Sequence, residues 1–96
     1  MNLGEAIRSL RKAKGIAQKD LAEKSGISAC ALSEIERDKA FPNKRTIHAI
    51  CDALGVATGV LLFSALTDDD IPQDKLPVFK ALQKPLLEIF AYDTKN

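Results

Sequence analysis

Tryptophan is absent from this chain, tyrosine occurs once, and aromatics make up only 5% of its 96 residues. That scarcity suits a soluble helical protein better than a β-sandwich. The two cysteines, Cys30 and Cys51, lack the paired spacing of a zinc site and read as free thiols of a reduced, intracellular protein. The single histidine, His48, has no partner at ligand spacing, which makes it a surface or edge residue and not a metal ligand. No Gly-rich phosphate loop and no Ser/His/Asp or Cys/His set is found, and the acidic run 68–70 lacks the spacing of a metal loop. A catalyst, a metal and an organic cofactor are therefore not expected. No apolar run approaches membrane-spanning length, and the opening residues Met1-Asn2-Leu3-Gly4-Glu5 do not have the basic-then-apolar profile of a secretory signal. The expected location is the cytoplasm, with no membrane partner.

What is present is apolar and charged in helical proportions. Hydrophobic residues form 46% of the chain and charged residues 28%, enough for one core of four or five short helices. The net charge of +1 hides an asymmetry. Residues 1–66 carry ten Lys or Arg against seven Asp or Glu, whereas residues 67–96 carry four against six. The positive half is the one an anionic partner would meet.

Residues 18–37 organise that half. Two amphipathic segments, 18–25 and 28–37, meet at Gly26-Ile27, and so short a link makes the second helix leave at a steep angle, as in a helix-turn-helix. Leu21 and Ala22 face inward from the first segment, Leu32 and Ile35 from the second. Ser28 caps the second helix by accepting from an amide near Leu32. Its outer face is left with Ala29, Cys30, Ser33, Glu34 and Arg37. Before this unit, residues 3–14 read as a helix with Leu3, Ile7 and Leu10 at helical spacing, a basic last turn and Gly15 as its stop. Ala17 stands where a capping residue is usual, so the terminus leans on Gln18 or Asp20. After it, residues 38–43 form a loop, with Asp38 suited to the left-handed region and Asn43 capping a helix over 44–54. Gly55 ends that helix, and Thr58 starts a fifth, reaching about Leu66 and so apolar that it implies contact with another surface.

Beyond Thr67 the composition shifts. The run 68–72 reads as a solvated polar hinge, followed by Leu76, Val78, Phe79, Leu82, Leu86, Leu87, Ile89, Phe90 and Tyr92, too apolar for a disordered tail. Leu82, Leu86, Ile89 and Phe90 share one helical face, and Pro85 either kinks one helix or opens a second. The expected division is 1–66 as the helix-turn-helix domain and 67–96 as an acidic hinge plus apolar helical tail, for dimerisation or self-packing.

Several short pieces fall in a characteristic order: Ile7-Arg8-Ser9-Leu10-Arg11, Gln18-Lys19-Asp20-Leu21-Ala22, Gly26-Ile27-Ser28, Leu32-Ser33-Glu34-Ile35-Glu36-Arg37, Pro42 and Ala53-Leu54-Gly55-Val56. Together they make residues 3–62 resemble the Cro/C1-type (XRE) helix-turn-helix family of phage repressors and bacterial regulators. The resemblance implies an all-α fold, a five-helix lambda-repressor-like domain with a C-terminal helical extension, whose third helix enters the major groove of double-stranded DNA. It implies phosphate contacts from Gln18, Ser28, Lys39, Asn43 and Lys44, helped by amide-rich helix starts. It also implies a largely buried structural ion pair between Arg11 and Glu36.

Base readout falls to Ala29, Cys30, Ser33, Glu34 and Arg37. Ala29 and Cys30 suit thymine methyls, Ser33 bonds either way, Glu34 accepts from cytosine, and Arg37 reaches guanine or a phosphate. The set is lean, so phosphates and DNA shape are expected to carry an unusually large share of specificity. Two functions are consistent with these residues. One is a DNA-binding transcriptional regulator, homodimeric through helix 58–66 and the tail 71–92. The other is an antitoxin-like or adaptor module whose tail takes a different protein partner.

Overall fold

The computed structural model describes residues 1–93, with side chains through residue 89; the expected apolar residues Phe90 and Tyr92 lie outside the described side chains. Helix α1 (Leu3–Ala13) opens on Asn2, whose side chain accepts from the Glu5 amide at 3.0 Å. Helix α2 (Gln18–Ser25) has no side-chain cap at Ala17, and neither Gln18 nor Asp20 substitutes for one. Gly26 ends α2 in the left-handed region at φ 73°, and helix α3 (Ala29–Glu36) follows. A side chain at that φ would be strained, so the turn uses the residue without a Cβ. Helix α4 (Lys44–Leu54) is capped by Asn43, which accepts from Thr46 at 2.9 Å. Helix α5 (Thr58–Ala65) leaves α4 at 103°.

The core is filled by Leu3, Ile7, Leu21, Leu32, Ile50, Cys51 and Leu61, all essentially inaccessible to solvent. Those of α1 to α4 come from the apolar stripe of their own helix, so burying them fixes the rotation of these four about their axes, while Leu61 comes from α5, which is apolar on more than one side. α1 packs on α3 and α5, and α2 on α3 and α4. α3 is therefore held from behind by two helices. Burial pushes the Cys51 thiol up, an effect that the Thr58 side chain only partly offsets. His48 is exposed and lies 3.1 Å by Nδ1 from the Thr58 hydroxyl, a tie between α4 and α5.

The hinge differs from a solvated linker. Residues Asp68–Asp70 form a 3-10 turn closed by Thr67, whose amide and hydroxyl both donate to Asp70 Oδ2, at 2.8 and 3.1 Å. The N-terminal ammonium meets the same oxygen at 2.6 Å. Its hydrogen bond, then that of the Thr67 amide, lowers the Asp70 pKa below the usual aspartate value. A lowered carboxylate pKa stabilises the fold above the unfolded-state value, and that contribution disappears as pH falls through the folded-state value.

The tail is a single helix, α6 (Leu76–Asp93), with Pro85 inside it. Pro85 has no N–H to give the carbonyl four residues earlier, yet the helix continues. α6 lies on α5, where the Phe63 and Phe79 rings meet at 5.9 Å between centroids. The excess apolar surface of α5 is thus covered in part by the chain itself. The face expected for Leu82, Leu86 and Ile89 is divided. Leu86 is half-buried with Leu76, Phe79 and Leu87, whereas Val78, Leu82 and Ile89 are exposed.

Candidate nucleic-acid interface

The turn from α2 to α3 is closed by backbone bonds from Gly26 to Glu23 and from Ile27 to Ala22, at 3.1 and 3.0 Å. The Ser28 hydroxyl accepts from the Ala31 amide at 2.9 Å, starting α3. Leu32 and Ile35 go into the core. On the opposite side Ala29, Cys30, Glu34 and Arg37 are exposed and Ser33 is half-buried. These five share one face of the helix, and α6 lies away from it, against α5.

Behind one edge of α3 sits a buried polar knot. Arg11 grips Glu36 with two parallel bonds, Nε to Oε2 at 2.8 Å and Nη2 to Oε1 at 3.0 Å, and its Nη1 donates to the Ile16 carbonyl at 2.9 Å. The bidentate geometry suits two charges withdrawn from water, with side-chain exposures of 10% and 3%. The bond to Glu36 raises the Arg11 pKa further. Gln18 joins the knot, its Nε2 donating to Glu36 Oε1 at 3.1 Å. That amide is therefore held still at the start of α2. The Ala17 cap position contributes no acceptor for the first amides of the same helix. A negative group arriving there meets unpaired N–H donors and the positive end of a helix dipole.

A cleft of about 550 Å³ opens beside this knot, lined by Arg8, Arg11, Lys12, Gln18, Ser33, Glu36 and Arg37. Arg37 turns back along its helix, with Nε 3.4 Å from the Ser33 carbonyl. Arg8 and Lys12 are the residues that reading along the chain does not bring out, because their proximity to α2 and α3 is a matter of tertiary packing.

The same end of α3 leads into a sharply folded loop. Asp38 takes φ 62° and the Lys39 amide donates to the Glu34 carbonyl at 2.9 Å. Pro42 is buried, whereas Lys39, Asn43, Lys44 and Arg45 are exposed. With Asn43 satisfying the Thr46 amide, the N–H groups of Lys44 and Arg45 face outward without an intrahelical partner. The candidate residues therefore come from three places: Gln18 and Arg37 beside the Arg11–Glu36 pair, Ser28, Ala29, Cys30, Ser33 and Glu34 from the cap and body of α3, and Lys39, Asn43 and Lys44 from the loop and the start of α4. Arg45 joins the last group and was not evident from spacing.

Known proteins resemble this chain in sequence and fold. The chain is 36% identical over 62 residues to the immunity repressor protein of Bacillus phage phi105, covering 65% of this chain but only 43% of that one. To the HTH-type transcriptional repressor RghR of Bacillus subtilis it is 31% identical over 96 residues, 99% of this chain and 70% of RghR. The solution structure of the DNA-binding domain of the P22 c2 repressor superposes with a TM-score of 0.62 at 35% identity, over 65% of this chain and 82% of that domain. Residues 7–61 match the family model described as Helix-turn-helix, and the chain belongs to that family, in its Cro/C1-type branch.

Proposed function

We propose that this chain is a sequence-specific regulator of transcription that lays α3 in the major groove of double-stranded DNA, as a homodimer on a pseudo-palindromic operator. It works in the cytoplasm and catalyses nothing. The observation that carries this reading is the placement of α3: Leu32 and Ile35 anchor it from behind, and Ala29, Cys30, Glu34 and Arg37 stand free in front. A helix so presented fits a groove about 12 Å wide. The flanking helix starts supply the backbone contacts. Gln18 meets one phosphate, and Asn43, Lys44 and Lys39 meet another, while the Ser28 hydroxyl keeps its proton free to donate. Arg8, Lys12 and Arg37 add positive charge beside Gln18. In that position Arg37 serves a phosphate better than a guanine.

Selection from random duplexes by the full chain, followed by a salt titration, tests the reading. The expected product is a pseudo-palindrome with half-site centres separated by about 10–10.5 base pairs or a multiple. Binding should weaken linearly in log–log terms as salt rises. A base-by-base scan of that site should show shallow losses at most positions, because few side chains here read base edges. Absence of enrichment, or binding indifferent to salt, would sink the proposal.

The dimer joint is assigned to α5 and α6. Val78, Leu82 and Ile89 recur at helical spacing as an exposed apolar stripe, and such a stripe on a short helix is stable when a second surface covers it. Leu82→Lys with Ile89→Lys should convert a dimer to a monomer by light scattering and weaken binding to a full palindrome. The same stripe favours a second reading, an antitoxin-like or adaptor role in which α6 holds a different protein. A double variant that keeps both dimer mass and duplex affinity would point to that second role.

A further inference from the structure

Among the described large apolar side chains, Phe41 has the highest accessibility, 68%, and it belongs to the 38–43 loop, not to α6. Its surroundings are cationic. Lys39 precedes it by two residues, and Lys44 and Arg45 follow within four, all exposed. The loop that carries it is held firmly at both ends. Asp38 makes the left-handed turn, the Lys39 amide is bonded to Glu34, Pro42 is buried and Asn43 caps α4. A ring left this exposed, in sequence between exposed cations and beside the unpaired amides that open α4, suits a partner that is charged at intervals and apolar between them.

We infer that Phe41 packs its ring against a deoxyribose of the operator backbone, between the phosphates met by Lys39 and by the start of α4. The inference rests on the DNA-binding reading and adds to it a sequence-independent, uncharged contact. A sugar presents C–H edges flanked by phosphates, which matches an aromatic face set between cations. The fixed loop makes the contact preorganised, since no backbone has to be ordered when it forms. A second copy of this chain is the competing occupant. It is less well matched, because like charges at Lys39, Lys44 and Arg45 would be brought together beside the ring.

The test compares the full chain with its Phe41→Ala, Phe41→Tyr and Lys44→Ala variants on the selected duplex and on a random duplex, across a range of salt. Phe41→Ala should weaken both complexes by a similar factor, about tenfold, with the salt slope unchanged, because no ion is released by a ring. Phe41→Tyr should recover most of the affinity. Lys44→Ala should instead reduce the slope by about one unit per protomer on the duplex. The melting temperature of Phe41→Ala should match that of the parent, which separates lost contact from lost fold. Unchanged affinity in Phe41→Ala, a loss confined to the selected sequence, or a fall in dimer mass by light scattering without DNA would each overturn the inference. Failure of the parent chain to bind any duplex would instead remove the reading beneath it.

Discussion

Glu36→Ala should destabilise the domain by about 3–5 kcal/mol, the usual cost of stranding one partner of a buried ion pair. A 96-residue domain has a total stability of roughly 5–15 kcal/mol, so this single change removes a large fraction of it. The melting temperature should fall by roughly 15 °C or more. The reason lies in what Glu36 satisfies: two bonds from Arg11 and one from Gln18, at 2.8–3.1 Å, in a site nearly closed to water. Its removal leaves a guanidinium buried with only the Ile16 carbonyl to answer it. Arg11→Met combined with Glu36→Leu should be far milder than either single change, because no uncompensated charge remains. If the single and double variants melt alike, the pair is not buried in the way described. Duplex affinity separates the second role of the carboxylate. At a temperature where every variant is folded, the double variant should still bind DNA more weakly than the parent, because Gln18 has lost the acceptor that steadies it.

Gly4→Ala should be nearly as damaging, and with an unusual sign. In an ordinary helical position that exchange stabilises by up to about 1 kcal/mol. Here a Cβ would stand 2.9 Å from the Glu36 carbonyl oxygen and closer still to that of Ile35. Both obstacles are backbone at the end of α3, and neither can rotate aside. α1 must slide off α3, and the expected cost is about 3 kcal/mol, at the upper end for an overpacked core. Gly59→Ala in α5 is the control. Nothing lies within 4 Å of its added Cβ, so that exchange should be neutral or stabilising by up to about 1 kcal/mol. Equal melting temperatures for Gly4→Ala and Gly59→Ala, measured by calorimetry, would contradict the close approach of α1 to α3. Because that contact supports the back of α3, a variant that survives should also show weakened duplex binding.

These two sites mark where the chain can be read in one dimension and where it cannot. The limits of α2 and α4 are legible because local signals agree: Gly26 and Gly55 turn left-handed, Asn43 caps, and the apolar residues between recur at helical spacing. The core positions Ile7, Leu21, Leu32 and Ile50 follow from the same periodicity. Gly4 is invisible in that way, since a glycine in a first turn carries no sign that another helix's carbonyls lie against it. The cleft has the same character. Arg8 and Lys12 look like ordinary basic residues of α1, and only the packing of α1 beside α2 and α3 sets them around Gln18 and Arg37. In the tail, Pro85 left two outcomes open, and one continuous helix resulted. The hinge also proved more ordered than its composition suggests, because Asp70 closes a turn with Thr67 and meets the N-terminal ammonium.

The stripe belongs to α6, which packs on α5, and the open face to α3, which packs on α1 and α2, so assembly and DNA contact can be probed by separate substitutions. The most direct measurement is the change in backbone amide shifts of the full chain when the selected duplex is added. The account predicts shifts concentrated at residues 18–20, 28–37 and 39–45, with the α6 stripe affected only through assembly. Shifts confined to residues 76–89, with α3 silent, would contradict it.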